Sequence, residues 1–320
     1  MGVAETPIAR RRLLGWLSAS GTAIGLGVVP AVARSLPPNP HLLWYRAPAR
    51  EWVEALPVGN GRLGAMVFGG VGTERLQLNE DTFWAGGPYN AVNPQALANL
   101  PEVRRRLFAG DYAAAEALAN AKLMGEPLQQ APYQSIGSLM IALAGADDDV
   151  RGYRRSLDID RAVAETIFEA GGATWRREVL ACPLRQVIAV RLTTDRPGGL
   201  DATLSFQSDA PRATAVAGAG ALLLTGRNGA HAGRPGALGF AARVAVSATG
   251  GGIAAQGDRL SIRGAREVTL LIAIATSYKG PEDVSGDPLA NQAGPLVFLV
   301  ILGVSYYFYH KKERFGLEGA

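Results

Sequence analysis

Residues 200–208 read LDATLSFQS, with Leu200, Ala202, Leu204 and Phe206 on one side of the alternation and Asp201, Thr203, Ser205 and Gln207 on the other. A period of two marks a strand with one face buried, as in an antiparallel sheet that is wet on its other face. Strand-like segments recur at 162–169, 175–181, 187–194, 221–225, 240–247, 259–263 and 268–276, with another at 65–68. Turn sequences such as EAGGAT, DRPGG and ATGGG join most of them, and no helical pattern intervenes. Strands at such short intervals predict an antiparallel sandwich, not a parallel α/β sheet.

One segment breaks this rhythm. Between residues 93 and 124 the pattern is helical: Pro101 fits a first helical position, Gly110 a stop and Asp111 an N-cap. Tyr112, Ala115, Leu118, Ala119 and Leu123 then repeat at helical spacing up to Gly125, predicting a helical hairpin inserted between β segments. Arg104, Arg105 and Arg106 are expected on a solvated face, since three successive residues cannot share one side of a helix. Upstream, Gly59, Gly61 and Gly64 punctuate an apolar run without the GKS or GKT ending or the strand-turn-helix order of a phosphate cradle, and read as tight turns.

The chain's 320 residues, 48% of them hydrophobic, are enough for a sizeable core. The net charge of +4 shrinks when residues 1–33, with three Arg and one Glu, are set aside, leaving 29 basic against 27 acidic residues. No basic run interleaved with aromatics remains, which excludes a nucleic-acid footprint. Cys182, the single cysteine, permits no intramolecular disulfide, and its apolar surroundings predict a buried, inert thiol.

Both ends of the chain differ from its middle. Residues 1–33 carry Arg10 and Arg11 before an apolar stretch, with Ala31 and Ala33 in a small-x-small cleavage pattern. This resembles a twin-arginine signal and predicts export to the periplasm or cell surface. Residues 34–50 form a Pro-rich lead-in to a domain at 51–290. Residues 293–309 are uncharged and end in aromatics ahead of the basic tail 310–320. They read either as a transmembrane helix that would tether the protein to a membrane, or as the product of a frameshift or gene fusion.

Catalytic inventories come up short. His41, His231 and His310 form no metal-binding spacing, paired cysteines are absent, and no GxSxG elbow occurs. No catalytic residue, metal or cofactor is therefore assigned. The stretch LQLNEDTFWAGGPYN at 76–90 gathers Glu80, Asp81, Asn79 and Trp84, but adjacent carboxylates point to opposite faces of a strand. Leu76, Leu78 and Glu80 would share one face, with Asp81 as a cap or turn acceptor for the residues after it.

The run WVEALPVGNGRLGAMVFGGVGTERLQLNEDTFWAGGPYN at 52–90 resembles the N-terminal region of family 95 glycoside hydrolases, the α-L-fucosidase family. The likeness continues through PYQSIGSL at 132–139, YRRSLDIDRAVA at 153–164 and REVLACPLRQVIAVRL at 177–192, and covers roughly residues 41–289. Ser135 and Ser138 stand where the family usually has Pro and Asp, so a loop contact there differs. The resemblance implies a mainly β fold, an antiparallel β-super-sandwich with an inserted helical hairpin. It places the inverting hydrolysis of terminal L-fucose in a following (α/α)6 barrel, which the chain is expected to lack, so that it would be inactive alone.

On that basis Glu80, Trp84 and Tyr89 are candidates for a surface that meets the barrel or the edge of its sugar site. Core packing accounts equally well for Trp84. The implied partners are a carbohydrate or the missing catalytic barrel. The alternative is a membrane-tethered carbohydrate-binding or scaffolding module.

Overall fold

A computed structural model describes residues 40–292 apart from 212 and 219. The signal-like segment and the run 293–309 lie outside the described residues. The strands, in chain order, begin with β1 (Leu42–Tyr45), β2 (Leu56–Gly59), β3 (Leu63–Val67) and β4 (Thr73–Glu80). The helices α1 (Ala96–Phe108) and α2 (Tyr112–Lys122) follow. Then come β5 (Gly137–Leu143), β6 (Arg151–Asp158), β7 (Val163–Ala170), β8 (Ala173–Cys182), β9 (Val187–Thr194) and β10 (Leu200–Gln207). The last group is β11 (Thr214–Gly218), β12 (Ala221–Arg227), β13 (Gly239–Thr249), β14 (Gly252–Gln256), β15 (Arg259–Ala265) and β16 (Glu267–Thr276).

These strands build a nine-stranded sheet, β1-β6-β7-β8-β9-β16-β13-β12-β11, and a seven-stranded sheet, β14-β15-β10-β5-β4-β3-β2. Every pairing between neighbouring strands is antiparallel. Strand β10 alternates buried and half-exposed residues along almost its whole length, as its sequence dictates. The link from β7 to β8 is a two-residue turn in which Gly171 (φ 58°) and Gly172 (φ 73°) both adopt left-handed backbone. That geometry matches the right-handed twist of the flanking strands and excludes most side chains.

One apolar core joins the inner faces of both sheets, with Leu76, Leu78, Ile141 and Leu204 from the smaller sheet and Val190, Val244 and Ile272 from the larger. Fully burying each such side chain contributes about 1.5–3 kcal/mol before entropy is counted. A second cluster on the other face of the larger sheet unites Val163, Leu180, Val187, Ala189 and Leu271 with Cys182, whose thiol is free and buried.

The helical hairpin is inserted between β4 and β5, and Asp111 caps α2 by accepting from the Ala114 N–H at 3.4 Å. Gly110 stops α1 in left-handed backbone (φ 78°). The expectation for Pro101 needs correction: α1 begins five residues earlier, at Ala96, and Pro101 lies inside it. It lies just beyond the first turn, whose N–H groups have no intrahelical acceptor, so its ring costs the helix the bond that residue 101 would donate to the Leu97 carbonyl. Glu102 pairs with Arg105 and Arg106 across successive turns, at 2.7 and 2.8 Å. Among the described residues no helix is long and apolar enough to cross a membrane.

Candidate functional site

The alternation of β4 turns Glu74, Leu76, Leu78 and Glu80 toward the core. Glu80 is only 3% exposed. Its Oε2 accepts from the Thr82 N–H (2.9 Å) and hydroxyl (2.6 Å), and its Oε1 from Arg62 Nη1 (3.2 Å). Arg62 also donates to the Ile274 carbonyl (2.9 Å) and to Gln186 Oε1 (2.9 Å). The Thr82 hydroxyl lies 2.5 Å from that of Thr276 on β16. The Glu80 carboxylate thus anchors the end of β4 to the opposite sheet. Burial pushes its pKa up, while the Thr82 donors and Arg62 pull it back and Asp81 adds to the rise.

The turn after β4 uses Glu80 as its side-chain acceptor, the role expected of Asp81. Asp81 contributes through its backbone: its carbonyl accepts from the indole N–H of Trp84 (2.9 Å), and its N–H donates to the Arg62 carbonyl (3.0 Å). Glu80 wins that role because it points inward, where the Thr82 donors would otherwise lack a partner. Tyr133 closes the arrangement by donating its hydroxyl to the Glu80 carbonyl (3.0 Å). Its ring meets Trp84 edge to face at 5.3 Å. Burial and the nearby carboxylates push the Tyr133 phenol up to about 12.

Trp84, 41% exposed, stands at the wall of a cleft of about 310 Å³ that Thr82, Tyr89, Gln130, Asn228 and Tyr278 also line. Asn228 is buried and holds the loop that carries Trp84, donating from Nδ2 to the carbonyls of Trp84 and Gly86, both at 2.6 Å. Its Oδ1 accepts from the Leu238 N–H at 2.9 Å. Arg234 lies 4.6 Å above the Tyr89 ring. Aromatic faces beside amide and hydroxyl groups suit a ring that is apolar on its faces and polar at its edge.

A second cleft, of about 410 Å³, opens where Arg75, Gln77, Tyr133, Ser138, Gln207 and Asp209 meet. The residues lining the Trp84 cleft include no carboxylate, and those lining the second cleft include one, Asp209. Inverting glycoside hydrolysis needs two carboxyl groups roughly 6.5–9.5 Å apart across the bond. Among the described residues, neither cleft is lined by such a pair.

Of the residues singled out from sequence, the structure brings Trp84 and Tyr89 to one cleft and places Glu80 behind it, joined through Thr82. Asn228 and Tyr278 were not singled out, because the links after β12 and β16 deliver them from far along the chain. The loop around His231 is tied down by Gly86 N–H to the Gly229 carbonyl (2.7 Å) and Ala237 N–H to the Gly86 carbonyl (3.1 Å). His231 Nε2 lies 3.3 Å from the Gln129 carbonyl, and His41 pairs with Asp160 at 2.8 Å on the surface. Among the described residues no group of three or more His, Cys, Asp or Glu could hold a metal ion.

The described residues thus form a two-sheet antiparallel sandwich with an aromatic cleft whose lining residues include no carboxylate. Residues 43–281 match the model of the glycosyl hydrolase family 65 N-terminal domain, and the chain belongs to that family. The resemblance to family 95 α-L-fucosidases, read above from its motifs, agrees with the relatives found. The chain is 33% identical to "Alpha-L-fucosidase 2" of Arabidopsis thaliana over 265 residues, which are 76% of this chain and 31% of that protein. It is 35% identical to "Probable alpha-fucosidase A" of Aspergillus niger over 148 residues, 44% of this chain and 18% of that protein. The protein of the same name from Aspergillus oryzae is 32% identical over 148 residues, 44% of this chain and 20% of its own length. The chain thus spans less than a third of these curated relatives.

Proposed function

We propose that this chain is the N-terminal domain of an α-L-fucosidase-type hydrolase, and that its Trp84 cleft forms one edge of the sugar site that a helical catalytic domain completes. The observation that carries this reading is the Trp84 cleft itself: aromatic and amide groups are held rigidly by Asn228 and the Glu80–Thr82 pair, with no carboxylate among the lining residues. Such a surface orients a sugar and excludes water from one side, while the acid and base come from elsewhere. Terminal L-fucose, or a related L-sugar, is the expected substrate of the complete assembly, and the described residues alone do not hydrolyse it.

The twin-arginine pattern at Arg10 and Arg11 supports export, with the cut after Ala33. A second reading, a membrane-tethered carbohydrate-binding module, draws on the uncharged run 293–309. Recovery of the full chain in the membrane fraction would favour it.

Titrating L-fucose into the purified protein tests the cleft assignment. The Trp84 indole N–H signal should shift saturably in the millimolar range, and Tyr89→Ala, which removes a lining ring but keeps that reporter, should weaken the response. An indole signal that stays fixed up to about 50 mM L-fucose would remove the Trp84 cleft from the sugar site.

A further inference from the structure

Gln77 on β4 pairs in register with Ser138 on β5, and Ser138 pairs in register with Gln207 on β10. Their inward neighbours Leu76, Leu78, Leu139 and Phe206 are in the core, so this row lies on the outer face of the seven-stranded sheet. Outer-face residues of a one-sided sheet normally meet water. Here the Tyr133–Ser135 segment and the loop at 208–211 rise on either side, Ser138 is only 5% exposed, and a cleft of about 410 Å³ remains between them.

Part of the cleft's polar lining is already occupied. The Ser135 and Ser208 hydroxyls donate to the Leu78 (3.1 Å) and Ile136 (2.7 Å) carbonyls, and Gln134 Oε1 accepts from the Gly229 N–H (2.8 Å). Arg75 lays its guanidinium over the Phe68 ring at 4.7 Å and donates its Nε to the Ser138 hydroxyl at 3.1 Å, which leaves its terminal N–H groups for a ligand, and Gln77 Oε1 is buried without a hydrogen-bond partner. Among the described residues, neither the Gln207 amide nor the Asp209 carboxylate has a hydrogen-bond or ion-pair partner, and both side chains are exposed. The unspent groups are therefore one cation, one anion and two amides, bordered by the half-exposed ring of Tyr133.

Paired opposite charges select neither an anion nor a cation, and the amides offer donors and acceptors together. That combination suits a neutral ring with several hydroxyls, and the volume falls within the range of small-ligand sites. We propose that this cleft is a second saccharide-binding site, holding one neutral pyranose unit through Arg75, Gln77, Gln207 and Asp209 against the edge of Tyr133. It is separated from the first by the Trp84–Tyr133 ring contact, whose two rings line one cleft each. Binding here requires neither turnover nor another domain, so it stands apart from the fucosidase reading.

The test uses the full chain, labelled with ¹⁵N, and the neutral trisaccharide fucosyllactose as probe. The side-chain amide signals of Gln77 and Gln207 should shift saturably. The doubly substituted Gln207→Ala, Asp209→Ala protein, altered only at solvent-facing side chains, should bind about tenfold more weakly, whereas Trp84→Ala should leave these shifts within about twofold. The proposal is overturned if the two amide signals do not move up to about 50 mM probe, or if the double variant binds as the wild type does. Shifts confined to the Trp84 indole would also sink it, while leaving the first cleft as the sugar site.

Discussion

Glu74 and Arg177 form an ion pair across the sandwich, one from β4 of the smaller sheet and the other from β8 of the larger, with exposures of 0% and 2%. Glu74 Oε1 also accepts from the backbone N–H groups of Phe68 (3.0 Å), Gly69 (3.0 Å) and Arg75 (3.1 Å). Arg177 donates to the Gly70 carbonyl at 2.7 Å. Burial pushes the Glu74 carboxyl up in pKa, opposed by Arg177 and the three amide donors. Arg177→Met would strand a buried carboxylate and should cost about 3–5 kcal/mol. Adding Glu74→Gln, which keeps the amide contacts without the charge, should restore part of that loss. Urea denaturation of both variants checks this, and a double variant less stable than Arg177→Met would refute the assigned coupling.

Gly70 sits where this pair meets the turn before β4. A Cβ there would lie 1.9 Å from the Thr73 carbonyl oxygen, a backbone clash that no rotamer relieves. Gly70→Ala should destabilise by about 3 kcal/mol or more. Gly218→Ala, where a Cβ meets nothing within 4 Å, should change stability by less than about 0.5 kcal/mol. Equal thermal shifts for the two variants would show that the turn yields.

The raised pKa of Glu80 fixes a sign for the pH dependence. A carboxyl that is harder to ionise when folded contributes stability that is fully present below its unfolded pKa, about 4.3, and lost as pH rises through the folded value. Glu80→Gln removes that dependence. The stability of the variant relative to wild type should therefore rise as pH climbs above about 4.3. Paired denaturation curves at acidic and neutral pH decide the matter, and a relative stability that falls with pH would mean that Arg62 and Thr82 outweigh burial.

Asn228→Ala should leave the Trp84 and Gly86 carbonyls and the Leu238 N–H without their side-chain partner. Unpaired buried groups cost about 1–3 kcal/mol each, so a loss of about 2 kcal/mol or more is expected. The loop that carries Trp84 should loosen as well, weakening the response of the Trp84 indole to L-fucose. Unchanged stability with an unchanged indole signal would show that this loop is held by its other contacts.

How much of this was legible in the sequence depended on what each strand buries. Strand β10 was plain because Leu200, Ala202, Leu204 and Phe206 alternate with polar residues. Strand β6 was known only as a family motif, because it buries Arg155 and Ser156. Arg155 is admitted to the interior by donating to the carbonyls of Ala47 and Glu54, both at 2.7 Å, and periodicity counts such a residue as exposed. Strands β1, β11 and β14 are short edge strands with no fully buried residue, and LLWY, TAVAG and GIAAQ show no apolar–polar alternation to mark them. In β4 the inward set Leu76, Leu78 and Glu80 could be read, but Glu74, which continues the same face at the start of the strand, was not singled out. Trp84 and Tyr89 could be paired because they are five positions apart. Asn228 and Tyr278 reach the same cleft only through the sheet order, which one sequence does not reveal.

The most direct test of the central claim is release of the aryl group from an aryl α-L-fucoside by the purified chain. A domain that shapes a sugar site without an acid–base pair across either cleft should give a rate indistinguishable from buffer. Turnover above that background would contradict the account, and turnover abolished by Glu80→Gln would place the chemistry at the end of β4.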